Sequence, residues 1–505
     1  MAATARRRIT LDKIHKYAGL VAALWMAVLA VTGMMQLNRQ GWDWLWASGP
    51  ALDESHAGHD DKNLWRYHQI DPANPATRVA GGAAGAFLSE NGGKGWTRLP
   101  FGDAPIRNVQ AMEPVAGPDG WTVYVGTSDG VWRLDRATKR FVPRGLQGKM
   151  VNSLSVEGDR IIAAVRMSQM FQRALDPDKM AWESVKLAPL PPDAGASSVD
   201  LGRMLQDIHV GRGLFGGMID MILWNLIALG LFLMAATGLA YWGFMRWCNR
   251  ARKRPKEARP SSDAMKRAQK GIQWSFRVHA MIIGIVLAPF LLLVFITGIY
   301  QDHRGDVQMM FRKMTVPSAI LPPAYRAGAG WQGQVMNVAL AKDGGGELLA
   351  IGNRRGMFVS RDMGQSWSHE AGFKGPAMRM RKIGGTLYVP GRMMRRVQVR
   401  RDDGWQTLDV PKMVVMINEM SAGPDGSIWW TRDRNVFKTT LAGQMRGKML
   451  HNPPKLGYLP WASFAAELHE GSLISKQWKW INDLFALLGI TLVVTGFLRW
   501  RKRKW

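Results

Sequence analysis

Two textures alternate along the chain. Long apolar runs, at about 17–37, 216–245, 276–300 and 479–499, are separated by stretches where Gly, Pro, Asp and Trp rise and apolar residues fall into short alternating segments. Each run supplies roughly the 20 apolar residues a helix needs to cross a hydrocarbon core, so four membrane-spanning helices are expected. The stretches between them read as β-structure. TVYVGTSDGVWRLD (122–135) is two strands about a Ser-Asp-Gly turn, DRIIAAV (159–165) is another strand, and LLAIGNRRGMFVSRDMGQSW (348–367) runs strand, turn, strand, turn.

The apolar runs repeat one another. His15, Gly19 and Thr32-Gly33 mark the first, and His279, Gly284 and Thr297-Gly298 mark the third; glycine to threonine is 13 positions in both. The histidine precedes its glycine by four positions in the first run and by five in the third. Before the second and fourth runs stand His209 and His469, followed by Thr237-Gly238 and Thr495-Gly496 at 28 and 26 positions. The order is helix, outer domain, helix, cytoplasmic loop, and the same again. Such halves run in one direction and are parallel repeats about an axis along the membrane normal.

Each β stretch carries one S-x-[DN]-x-G-x-x-W octet, Ser89–Trp96 and Ser360–Trp367. The octet resembles the Asp-box of sialidase-like β-propellers, which implies a fold and not sialidase chemistry. There the Asp or Asn (here Asn91 and Asp362) ties the turn, Gly permits positive φ, and Trp96 and Trp367 would pack between blades. The expected fold is membrane α plus β: four helices in two parallel repeats, with a periplasmic propeller-like domain built from two inserted halves. Two separate small β-domains are the alternative. The expected divisions are an N-terminus 1–16, helix 17–37, half-propeller 38–208, pre-helix and helix 209–245, basic loop 246–273, helix 274–300, half-propeller 301–468, pre-helix and helix 469–500, and tail 501–505.

Charge orients this plan. The chain holds 67 Lys+Arg against 39 Asp+Glu, and the loop after the second helix and the tail after the fourth are strongly basic. Positive-inside bias puts both termini and that loop in the cytoplasm and the β stretches in the periplasm of a bacterial inner membrane. Lipid is the expected partner of the excess charge. Nucleic acid is not, because no basic helix interleaved with aromatics stands apart from the apolar runs. One cysteine, Cys248, excludes an intrachain disulfide framework, and the absence of C-x-x-C-H means any haem is held non-covalently.

The histidines carry the candidate chemistry. His15 and His279 occupy equivalent places at the cytoplasmic ends of helices one and three, and His209 and His469 occupy equivalent places on the outer side. Pseudo-symmetry brings equivalent residues face to face, and two imidazoles on opposite sides of a flat ring are what six-coordinate haem iron requires. The expectation is two b-type haems, the inner on His15 and His279, the outer on His209 and His469, with His303 in reserve.

These helices resemble the PepSY-associated transmembrane helix family. The likeness rests on His15 with Gly19-Leu20 and Thr32-Gly33, on Ile208-His209-Val210-Gly211, and on Leu468-His469-Glu470-Gly471. It covers about a quarter of the chain and implies an inner-membrane ferric-siderophore reductase holding haem between its helices. The family's usual outer domain is replaced by the propeller-like one, and no flavin module is fused. The electron donor is then a separate molecule, a quinol or a cytoplasmic reductase. The implied substrate is ferric iron in a siderophore or other chelate, which reduction releases because the ferrous ion is held less tightly by hard oxygens. A basic outer surface from Arg379, Arg381, Lys382, Arg392, Arg395, Arg396, Arg400 and Arg401 would dock an anionic chelate. His56, His59 and Asp61 are a lesser metal-binding candidate, and the 31 methionines form no concentrated copper motif. The rival readings are a membrane-anchored propeller that binds or assembles partners without redox activity, and a copper- or haem-handling accessory.

Overall fold

The computed structural model describes residues 10–502 apart from 52–63, 105, 118–119, 177–180, 192–197, 327–329, 344–345, 391–395, 402–403, 410–418, 424–425, 433–434 and 440–453. Among the described residues four helices are long and apolar enough to cross a membrane: Leu11–Asn38, Gly217–Arg252, Ser262–Asp302 and Lys479–Lys502. The first packs on the second and fourth, and the third on the second and fourth. Ala22, Met26, Ala30, Trp224, Ile227, Leu291 and Phe295 meet in the middle. Leu24, Ile222, Leu226, Val286 and Leu487 point outward. Helices apolar on both faces suit lipid as their solvent. Polar side chains join neighbours: Asn38 Nδ2 donates to Asn225 Oδ1 at 2.7 Å, and Trp25 Nε1 to Asn482 Oδ1 at 2.9 Å.

The third helix starts well before its apolar run. Ser261 caps it by accepting from the Ala264 N–H, and an amphipathic segment, Ser262–Phe276, leads into the membrane. Residues Arg277–Gly284 are wound as π-helix. This is where the third run has one more residue between histidine and glycine than the first. A π turn closes at i→i+5 instead of i→i+4, so it takes up one extra residue without rotating the remainder of the helix. The widened turn lets His279 occupy the place that His15 reaches on a regular α-helix.

Among the described residues the β stretches form six antiparallel sheets of three or four strands, at 67–99, 109–143, 151–185, 337–369, 381–409 and 419–439. The first strand of each touches the first strand of the next, and Tyr67–Ile70 meets Glu419–Ala422, so the six stand in one closed propeller-like ring. Each half of the chain gives three sheets. Alternation along the strands sends apolar side chains into the seams between sheets. Val109, Met112 and Phe141 fill the first seam, Ile161 and Leu154 the second, Ile351 and Phe358 the third, and Leu348 and Leu387 the fourth. Val397 and Met420 fill the fifth. Ile70 and Trp429 form the last, where His68 also stacks on Trp429 with ring centres 5.9 Å apart.

Both octets fold alike, between the third and fourth strands of their sheets. Asn91 Oδ1 accepts from the Gly95 N–H at 2.8 Å, and Asp362 Oδ1 from the Ser366 N–H at 2.9 Å. Ser89 and Ser360 accept from Gly93 and Gly364 in turn. The two tryptophans differ. Trp367 is buried in the seam between the third and fourth sheets, on Trp331 at 4.9 Å. Trp96 is half-buried, between the segment around Leu45, Trp46 and Leu459 and the His68 ring, 6.3 Å away, at the edge of the last seam. Trp367→Ala should therefore cost about 3–5 kcal/mol and Trp96→Ala less, read by denaturant unfolding of the two variants.

The ring's centre is polar. Arg381 of the fifth sheet donates to Glu419 of the sixth and, at 2.6 Å, to Glu113 of the second. Beneath the ring, Ser198–Asp200 pairs with Thr315–Pro317, which ties the segment before the second helix to the segment after the third.

Candidate functional site

The two sequence motifs, histidine and Thr-Gly, meet in space. His15 Nδ1 lies 2.9 Å from Thr495 Oγ1 and His469 Nδ1 lies 2.9 Å from Thr32 Oγ1. His209 Nδ1 lies 3.1 Å from Thr297 Oγ1 and His279 Nδ1 lies 3.3 Å from Thr237 Oγ1. All four bonds join one half of the chain to the other.

The direction of these bonds is set by the threonines. Each hydroxyl donates to the carbonyl four residues back on its own helix: Val28 at 2.7 Å, Leu233 at 2.6 Å, Leu293 at 2.7 Å and Thr491 at 2.6 Å. A hydroxyl has one proton, so each Oγ1 can only accept from its histidine. Nδ1 then carries the proton, and Nε2 keeps its lone pair. His279 Nδ1 also lies 3.0 Å from the Met234 carbonyl, an acceptor only, which fixes the same tautomer. The glycine after each threonine makes room for the ring. A Cβ on Gly33 would stand 3.3 Å from His469 Cε1, and one on Gly238 3.3 Å from His279 Cε1. Gly496 and Gly298 stand likewise at 3.4 Å from His15 and 3.6 Å from His209. Thr-Gly is thus a seat for an imidazole with its second nitrogen exposed.

The seats come in two pairs. His15 and His279 face each other with ring centres 6.3 Å apart and planes at 89°. Two imidazoles sharing a metal at about 2 Å per bond have centres roughly 6 Å apart, so this pair fits a bis-imidazole iron site. His209 and His469 also neighbour each other. Burial, then the nearby His469, pushes His209 down to about 4, and burial does the same to His469, so both are neutral as metal ligands must be. Thr32 lies roughly 25 Å along the first helix from His15 at 1.5 Å per residue, which separates the pairs by most of the membrane. A pair of histidines falls short of a closed structural metal site, and among the described residues no group of three or more His, Cys, Asp or Glu gathers for one.

A cavity of about 2280 Å³ opens from the His209–His469 pair toward the ring. Gly33, Gly298 and Phe295 line its floor, and Arg203, Tyr325, Arg354 and Arg355 line its wall. The last three come from segments with no histidine or Thr-Gly signal. A basic turn such as Asn353-Arg354-Arg355 reads in sequence as solvated.

Among the described residues of the basic run on the fifth sheet, several side chains are paired or buried. Arg381 is buried between Glu113 and Glu419, because its strand position points into the ring's centre. Lys382 pairs with Glu157, and Arg400 Nε lies 2.9 Å from Glu370. Arg379 lines the cavity, and Arg401 is exposed at the end of its strand. Arg392 and Arg395, the side chain of Arg396, and His56, His59 and Asp61 lie outside the described residues. The reserve ligand His303 is otherwise engaged. Its Nε2 lies 2.6 Å from Asp483 and its Nδ1 3.6 Å from Asp306.

Thr495→Val is nearly isosteric and removes the acceptor for His15, along with the hydroxyl's own bond to the Thr491 carbonyl. Losing the hydrogen-bond partner behind a metal-binding histidine typically costs 10–100-fold in metal affinity. Thr495→Val should weaken retention of a metal group at the His15 pair by about that factor and spare the His209 pair. Titrating haem into the depleted variant measures it.

The family model described as the PepSY-associated TM region matches residues 2–244 and again 243–503. No curated protein matches the sequence. Among solved structures, YCF48 bound to D1 peptide is similar at TM-score 0.29 and 10% identity, over 70% of this chain and 70% of that one. An ancestral GH74 enzyme is similar at TM-score 0.32 and 11% identity, over 76% of this chain and 38% of that one. The extracellular domain of a one-component system from B. thetaiotaomicron is similar at TM-score 0.28 and 8% identity, over 76% and 40%. These likenesses are too loose to bear on chemistry.

Proposed function

The chain belongs to the PepSY-associated TM family as two tandem copies in a multi-pass membrane protein, and on that basis we propose that it is a haem-carrying electron conduit. The observation that supports this most directly is the set of four imidazoles seated in two neighbouring pairs, each with Nδ1 spent on a threonine and Nε2 left free. His15 with His279 would hold one haem b and His209 with His469 a second. Bound there, haem supplies one-electron ferric–ferrous cycling. The residues do the rest. The threonines fix the ring orientation, the glycines set the approach, and burial keeps the outer pair neutral.

In this reading both termini and the 246–273 loop are cytoplasmic and the ring is periplasmic in a bacterial inner membrane. Electrons come from a separate donor, a quinol or a cytoplasmic reductase. The electron acceptor is ferric iron in a chelate, reached through the cavity beneath the ring. An absorption spectrum of the purified protein tests the proposal. A Soret band with a reduced α-band is expected. A colourless preparation from haem-replete cells would sink it and favour a membrane-anchored binding or assembly protein.

A further inference from the structure

The cavity wall above the outer histidine pair carries more positive charge than the protein neutralises there. Arg354 and Arg355 sit on the turn between Gly346–Gly352 and Met357–Ser360 of the fourth sheet. The turn is rigid, since Asn353 Oδ1 accepts from the N–H groups of Arg355 at 2.8 Å and Gly356 at 3.2 Å. Facing it is Arg203, on the helix Leu201–His209 that ends in a proposed ligand.

One carboxylate, Asp207, lies between them. Arg354 Nη1 is 3.3 Å from its Oδ1, Arg203 Nε is 3.6 Å from its Oδ2, and Tyr325 Oη donates to Oδ2 at 2.9 Å. Arg355 donates through Nη2 to the carbonyls of Ala324 at 2.7 Å and Arg326 at 2.9 Å. Its Nε and Nη1 are buried with no acceptor among the described residues. Burial, and then the charge of Arg203, pushes the Arg355 guanidinium down to about 10. A buried guanidinium short of acceptors is costly, and an anion supplies both the charge and the lone pairs.

We propose that Arg203, Arg354 and Arg355 form a carboxylate-binding corner of the cavity, beside the His209–His469 pair. The planar fork of arginine matches a carboxylate with two parallel hydrogen bonds. The cavity exceeds the 300–1,000 Å³ of an ordinary ligand pocket, so a chelate fits beside a group on the histidines. The proposal rests on the reading that this cavity adjoins the outer redox site. The carboxylate has two possible sources: the propionates of haem on His209 and His469, or the carboxylates of a ferric chelate. In either case the ring supplies recognition next to the site of reduction.

The test uses full-length protein in detergent and two variants, Arg355→Gln and Arg354→Gln. Gallium(III) citrate, which cannot be reduced, probes the chelate source by titration calorimetry. Haem content and the reduced-minus-oxidised spectrum probe the propionate source. At least a tenfold loss of gallium citrate affinity with an unchanged spectrum assigns the corner to a chelate. A shifted spectrum or lost haem with unchanged citrate affinity assigns it to propionates. Parental behaviour in both measurements overturns the proposal. Arg355→Lys, which keeps the charge and loses the fork, replaces Arg355→Gln if that variant does not fold. Arginine-dependent citrate binding by a protein that never carries haem would sink the conduit and leave the corner standing.

Discussion

On the proposed haem assignment, His279→Ala should yield protein lacking one of two haems, and His15→Ala should give the same product. The two rings face each other at 6.3 Å, so each is half of one ligand set. Removing either leaves an open or water-ligated iron that is held weakly and has an altered potential. The outer pair lies roughly 25 Å away along the helix axis and should keep its spectrum. His209→Ala and His469→Ala should form the second matched couple. Either class should reduce electron delivery to a ferric chelate on the ring's side to background. Haem content and difference spectra of all four variants measure this. Full occupancy in all four would sink the ligand assignment. The threonine variants sharpen it, because Thr495→Val should match His15→Ala in kind and fall short of it in size.

Arg381→Met should destabilise the ring by about 3–5 kcal/mol, the usual cost of removing one partner from a buried ion pair. Arg381 bridges three sheets: Nη1 reaches Glu113 at 2.6 Å, Nη2 reaches Glu419 at 3.0 Å, and the guanidinium lies 5.7 Å from the Tyr67 ring centre. Without it two carboxylates face each other in an enclosed channel. Replacing the triad together, Arg381→Met with Glu113→Gln and Glu419→Gln, should recover much of the loss. Thermal unfolding measures both. The same cluster predicts a pH dependence. Burial raises Glu113 to about 7, against the downward pull of Arg381 and with an upward push from Glu419. A carboxyl raised in the folded state stabilises most below its unfolded value of about 4.5, and that contribution is lost as pH rises through about 7. Melting temperature should fall across that window, and Glu113→Gln should flatten the fall.

The helices and their motifs were legible because apolar length and fixed spacing survive in a linear string. The meaning of Thr-Gly was not. Spacing measures distance along one helix, whereas Thr495 serves His15 and Thr32 serves His469 across the two halves. The extra residue between His279 and Gly284 was visible as a mismatch, and only the π winding explains why it does no harm. The octets were readable as turns, yet the same octet buries Trp367 in a seam and leaves Trp96 half-buried, because the neighbours that decide burial are distant in sequence. The basic run on the fifth sheet is hard to read for a related reason. Charge density along a strand says nothing of which face each residue takes, and Arg381 faces the channel. Arg203, Arg354 and Arg355 gave no signal at all, since charges in a turn and on a short helix ordinarily face water.

The closures that join the chain's two ends are late. His15 has no hydroxyl to meet until Thr495, 480 residues further on, has been made. At the usual 5–20 residues per second that is a wait of roughly 25–100 s at the ribosome. The ring closes only when Glu419–Ala422 reaches Tyr67–Ile70, and Trp46 is covered only when Leu459 arrives. The first half therefore enters the membrane with its imidazoles unseated and its sheet edge unpaired. Until the chain is finished, the open edge of the first sheet needs a chaperone or speed to protect it.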